Sequence, residues 1–184
     1  MSKFKDTFRI ESIRLKEWDY TTPWWYYVTI NTKNHIPYFG KIINGEIKLN
    51  KLGSIVETEW KRTMFLRPNV ELDNFIIMPN HLHGIIILNE VVETRRGVSL
   101  RKNIDSCFGK PVKNSLSIII NQFKGSVTRQ ARKNGYSNFS WQSGFFERVI
   151  RNEVELSNIR YYIEQNPANW GHKKTQTSES EINP

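Results

Sequence analysis

Cysteine, histidine and long apolar runs are all scarce in this chain, and each shortage narrows the field. The single cysteine, Cys107, cannot close an internal disulfide. That sets aside disulfide-framed secreted domains and fits a reducing compartment. The apolar runs, such as Ile85-Ile86-Ile87-Leu88, fall far short of the roughly 20 residues that a bilayer-spanning helix needs. Nor does the start, Met1-Ser2-Lys3-Phe4-Lys5-Asp6, lead into an apolar segment of the kind a secretory signal requires. The expectation is a soluble, cytoplasmic protein with no membrane partner. Acidic residues are outnumbered, 18 against 27 Lys and Arg, for a formal charge of +9, and a cationic surface of this size favours polyanions, nucleic acid first among them. No internal repeat is present.

What is present divides into short periodic segments. Tyr26 to Thr32 is rich in β-branched and aromatic residues and predicts a strand. Asn44-Gly45 between Lys41-Ile42-Ile43 and Glu46-Ile47-Lys48-Leu49 predicts a two-residue hairpin. Leu52, Val56, Trp60 and Met64 recur every four residues, as on an amphipathic helix. Phe75–Met78 and Leu82–Leu88 read as two buried strand segments broken at Pro79-Asn80. Residues 91–114 are polar, turn-rich and basic, the composition of a long exposed loop. Ser115 can cap a helix whose apolar stripe is Leu116, Ile119, Ile120, Phe123 and Val127, ending at Gly135. Phe145–Ile150 predicts another strand, and Asn152 with Glu155 a capping box for a last helix that Pro167 closes. The tail, residues 173–184, has the composition of a disordered segment. Residues 1–172 then form one α+β domain. Without its hairpin and last helix the order is βαββαβ: a ferredoxin-like (RRM-like) antiparallel sheet with helices on one face, plus an added hairpin and a C-terminal helix.

Only four histidines occur, and two of them are separated by one residue in Met78-Pro79-Asn80-His81-Leu82-His83-Gly84. On a strand, residues i and i+2 share a face, so His81 and His83 project together while Leu82 enters the opposite, packed face. Two adjacent imidazoles make half of a divalent-metal site; the same spacing also suits ordinary polar residues of a half-buried sheet. In the last helix, Tyr162 and Asn166 stand at i and i+4 on one face. A phenol there can face the histidines, with the Asn166 amide as a third ligand, or it can simply pack on the sheet while Asn166 ends the helix.

These stretches resemble one family. His81-Leu82-His83 resembles the HUH motif of single-tyrosine transposases, and Met78–His83 is similar to the form found in REP-associated tyrosine transposases and their insertion-sequence relatives. Tyr27-Val28-Thr29-Ile30 resembles the first strand of that family. Trp141-Gln142-Ser143-Gly144-Phe145-Phe146-Glu147 with Ile150-Arg151-Asn152-Glu153 resembles the segment before its nucleophile helix, and Tyr162-Ile163-Glu164-Gln165-Asn166-Pro167 that helix itself. Phe145 and Phe146 stand where relatives often carry a tyrosine. The four segments fall in the family's order and span about residues 20–171.

The resemblance implies that Tyr162 is the nucleophile and that His81, His83 and Asn166 hold a divalent metal, Mg²⁺ or Mn²⁺. Tyr161 competes for the role, but one helical step turns it by roughly 100°, so only one of the two can face the metal. The implied reaction is cleavage and rejoining of single-stranded DNA near hairpins through a 5′-phosphotyrosine, without ATP. Candidate phosphate contacts are Arg95, Arg96, Arg101 and Lys102 in the basic loop, Lys124, Arg129 and Arg132 on the following helix, and Arg151. A homodimer is possible, since some relatives complete the site between two chains and others within one. Two other readings stay open: a non-catalytic hairpin-binding descendant, and a metal-dependent phosphodiesterase that uses water as nucleophile.

Overall fold

The computed structural model describes residues 18–90 and 115–170, together with the backbone of residues 3–4 and 7–8. Residues 3–4 and 7–8 form a small ribbon, β1 (Lys3–Phe4) and β2 (Thr7–Phe8). Then come β3 (Trp25–Asn31), the hairpin β4 (Gly40–Ile43) and β5 (Glu46–Leu49), α1 (Lys51–Phe65), β6 (Val70–Met78) and β7 (His81–Leu88). Beyond residue 114 follow α2 (Leu116–Lys133), β8 (Phe146–Val149) and α3 (Glu153–Gln165).

The main sheet has the order β6-β7-β3-β8, with every neighbouring pair antiparallel. With β3 as first strand, this is the ferredoxin-like arrangement that the element order implies. Asn44 and Gly45 both have positive φ, at 52° and 76°, as a two-residue hairpin turn requires. β6 begins at Val70, five residues before the apolar run Phe75–Met78 that marks it in the sequence. The register between β6 and β7 shifts between Leu72 and Phe75, and this irregularity at Asp73-Asn74 hides the strand's alternation from a sequence reader.

Alternation along the strands divides the side chains between two layers. Tyr26, Val28 and Ile30 of β3, with Leu82 and Ile86 of β7, pack with α1 and α2 through Trp60, Ile119, Ile120 and Phe123. Gly84 of β7 lies on this face too. A Cβ there would sit 2.6 Å from Cζ2 of Trp60 and 3.2 Å from Cβ of Phe75, so the indole occupies the space a side chain would take. Gly84→Ala is expected to cost about 2 kcal/mol of stability by overpacking, read as a lower urea midpoint at unchanged m-value.

On the other face, Tyr27 and Ile85 pack against Leu156, Ile159 and Ile163 of α3. The sheet is thus covered by α1 and α2 on one side and by α3 on the other. Asn152 caps α3 through Oδ1, which accepts from the Glu155 N–H at 2.8 Å. The carboxylate of Glu155 reaches the N–H of Arg151 at 2.8 Å, one residue before the position a capping box would use. Midway along, Arg160 grips Asp73 with two hydrogen bonds, at 3.0 and 2.5 Å, and Glu164 accepts from Asn74 Nδ2 at 2.7 Å. The Arg160 guanidinium holds the Asp73 carboxyl below its ordinary value, against the opposing effect of partial burial. The irregular stretch of β6 is therefore also the dock for α3. Among the described residues, no helix is long and apolar enough to cross a membrane.

Candidate active site

Strand periodicity sends His81 and His83 to the α3 face of the sheet, and pairing surrounds them. Asn31 lies opposite His81 and Thr29 opposite His83, so Tyr27 and Thr29 of β3 share the face of the histidines. His83 is buried, at 5% exposure. Its Nδ1 lies 2.7 Å from Tyr27 Oη and 2.9 Å from Thr29 Oγ1, and Thr29 Oγ1 donates to Tyr27 Oη at 3.2 Å. The two imidazoles meet at Nε2, 2.9 Å apart.

Asn80 orients the other ring. Its Nδ2 donates to the carbonyl of His35 at 3.0 Å, which leaves Oδ1 facing His81 Nδ1 at 2.6 Å. An amide oxygen only accepts, so the proton of neutral His81 sits on Nδ1 and its Nε2 presents a lone pair. On His83 the partners of Nδ1 are hydroxyls, which donate or accept as required. Nε2 of His83 can therefore donate to His81, or it can present a second lone pair beside the first.

In the second state two imidazole nitrogens at 2.9 Å suit one cation, since adjacent donors each about 2.1 Å from an ion lie roughly 3 Å apart. The donor set fits Mn²⁺ or Mg²⁺ completed by oxygen ligands, with imidazole favouring Mn²⁺. Partners of this outer kind commonly set metal affinity by 10–100-fold, and Asn80→Ala is expected to weaken Mn²⁺ binding by about tenfold. Titration of free Mn²⁺ by electron paramagnetic resonance checks it. Tyr27→Phe is expected to act less strongly, because Thr29 Oγ1 still reaches the same nitrogen.

The helix brings one tyrosine to this pair. The Tyr162 ring meets His83 edge-on at a centroid distance of 5.3 Å and Tyr27 at 6.4 Å. Tyr161 points outward, 67% exposed. Asn166, one turn beyond, is buried and its Nδ2 donates to the carbonyl of Tyr162 at 3.1 Å. Trp170 stacks on His81, with centroids 5.8 Å apart. All of these groups belong to one chain.

The candidate phosphate contacts scatter. Arg95, Arg96, Arg101 and Lys102 lie outside the described residues. Arg129 and Arg132 are exposed on α2, across the sheet from the histidines. Arg151 is exposed ahead of α3, at the end of that helix far from Tyr162. The Lys124 ammonium is held by two loop carbonyls, Gln142 at 2.7 Å and Gly144 at 2.8 Å, and burial pushes it below the ordinary lysine value. Tyr27, Thr29, Asn80 and Trp170 were not among the sequence candidates for the site. Tyr27 and Thr29 carry the only available signal, an i, i+2 pair on a strand, and that signal does not say which strand lies opposite.

No family model matches the chain. Its fold is that of the single-tyrosine transposases. The solved structure of a REP-associated tyrosine transposase bound to a REP hairpin matches with a TM-score of 0.54 at 19% identity, over 93% of this chain and 75% of that one. In sequence, the chain is 38% identical over 159 residues to an uncharacterized protein of Haemophilus influenzae, covering 86% of this chain and 88% of that one. The chain belongs to the family of that protein.

Proposed function

We propose that this protein is a tyrosine transposase that cleaves and rejoins single-stranded DNA near hairpins. The observation that carries the reading is the meeting, within one chain, of the Tyr162 ring with a histidine pair whose Nε2 atoms converge at 2.9 Å. The fold it shares with a transposase bound to a DNA hairpin and the formal charge of +9 support a DNA partner.

His81 and His83, with Asn166 as candidate third donor, would hold a divalent cation, which would supply charge neutralisation at the scissile phosphate and favour ionisation of the attacking phenol, whose ordinary pKa is about 10. Tyr162 Oη attacks phosphorus, a tyrosyl O–P bond forms, and the P–O3′ bond breaks. The departing 3′ oxygen takes up a proton, and the DNA keeps its 5′ phosphate on the tyrosine. One phosphodiester replaces another, so rejoining to a second 3′-OH reverses the step without ATP. The reading needs no second copy of the chain, because Tyr162 already faces the histidines of its own sheet.

The test is incubation with labelled single-stranded hairpins from the DNA flanking the gene, with Mn²⁺ or Mg²⁺, resolved on a denaturing gel. A metal-dependent band at the summed mass of protein and DNA supports the reading. Tight binding without an adduct would instead make the chain a binding module, and cleavage without an adduct would make water the nucleophile.

A further inference from the structure

The turn after β3 and the segment before β8 together form a concave surface. It is a groove of about 470 Å³ lined by Lys33, Asn34, His35 and Ser140–Ser143. That volume is within the range of small-ligand sites, roughly 300–1,000 Å³. Its two walls are tied together: the Lys33 N–H donates to the Ser140 carbonyl, and the Gln142 N–H to the Asn31 carbonyl, both at 2.9 Å.

Each wall is also fixed from behind. Asn34 and His35 hold left-handed backbone, φ 55° and 51°, a conformation that costs energy for residues other than glycine and persists only where the surroundings impose it. Buried Thr32 imposes it here, its Oγ1 lying 2.8 Å from the Ile36 carbonyl and 2.9 Å from that of Asn80. On the opposite wall, Trp141 Nε1 donates to the Lys124 carbonyl at 3.2 Å while the Lys124 ammonium holds the carbonyls of Gln142 and Gly144. Among the described residues, the side chains of Lys33, Asn34 and Gln142 make no hydrogen bond or ion pair. The groove therefore offers a cation, two amides and part of an indole on a pre-set frame.

It is also joined to the candidate active site. Asn80 links the two, bonded to the His35 carbonyl on one side and facing His81 Nδ1 on the other. Resting on the transposase reading, we infer that this groove takes one unpaired nucleotide of the DNA strand next to the scissile phosphate. The base lies against Trp141, the amides of Asn34 and Gln142 read its edge, and Lys33 meets its phosphate. Aromatic stacking accepts any base, whereas the amides make the site selective.

The test uses the full chain and single-stranded hairpins from the flanking DNA, each carrying short unpaired extensions with one position at a time made abasic. Binding is followed by fluorescence anisotropy, and adduct formation is scored on the same samples. For the unaltered protein one unpaired position is expected to lose about tenfold in affinity when abasic, the scale of one base–aromatic contact. In the Lys33→Ala/Gln142→Ala variant, whose changes fall on exposed side chains, that loss should shrink by the share the Gln142 amide supplies, with the Trp141 contact kept, while losses at other positions persist. A loss of full size in the variant, or no sensitive position in the unaltered protein, overturns the inference. An adduct formed alongside either result leaves the transposase reading standing while the groove fails. A groove-dependent loss with no adduct does the reverse.

Discussion

Replacing Tyr162 by phenylalanine is expected to abolish the covalent protein–DNA adduct and to lower cleavage by at least about 10³-fold, the scale on which removal of a nucleophile acts. The ring stays, so its edge-on contacts with His83 and Tyr27 are retained and the fold should be kept. What leaves is the one oxygen proposed to form the bond to phosphorus. Tyr161→Phe is the matched control: its side chain is exposed and points away from the histidines, so adduct formation should be unchanged. Equal loss in both variants, or an adduct that survives Tyr162→Phe, would move the nucleophile elsewhere.

Loss of either imidazole should weaken Mn²⁺ binding by more than about 100-fold, beyond the range typical of outer-shell partners, and cleavage should fall with it. The two positions are expected to differ in stability. His83 is buried and partners Tyr27 Oη and Thr29 Oγ1, so His83→Ala takes a hydrogen-bond partner from both hydroxyls, which keep their bond to each other, and should cost about 1–3 kcal/mol. His81 is only partly buried, so His81→Ala should cost less. Mn²⁺ titration together with urea unfolding separates the effects. A His81→Ala protein that binds Mn²⁺ like the original would remove that residue from the metal site.

Much of this site could be read from residue order because it rests on local periodicity. His81 and His83 fall on one face and Leu82 on the other for no reason beyond the two-residue repeat of a strand. Asn44-Gly45 likewise fixes its turn, and Asn152 its helix start. The parts that resisted reading depend on pairing between distant segments. Nothing within Tyr27-Val28-Thr29 says that β7 will lie beside it in the register that puts Thr29 opposite His83. The early part of β6 was hidden by its register shift, and the same Asp73-Asn74 stretch then binds a helix almost ninety residues further on. Asn34 and His35 adopt left-handed backbone with no glycine to announce it.

On the transposase reading, the docking of α3 also bears on when the protein would become able to cut DNA. Both histidines lie in the first half of the chain, whereas Tyr162 arrives on the final described helix and Trp170 eight residues after it. A ribosome therefore exposes the histidine pair well before the proposed nucleophile, and β8, which closes the sheet beside β3, is itself late. On the transposase reading, a nascent or truncated chain ending before α3 has the histidine pair but lacks Tyr162, the proposed nucleophile. With Tyr162 as the proposed nucleophile, order of synthesis would act as a safeguard: cleavage competence would come only with the seating of the last helix.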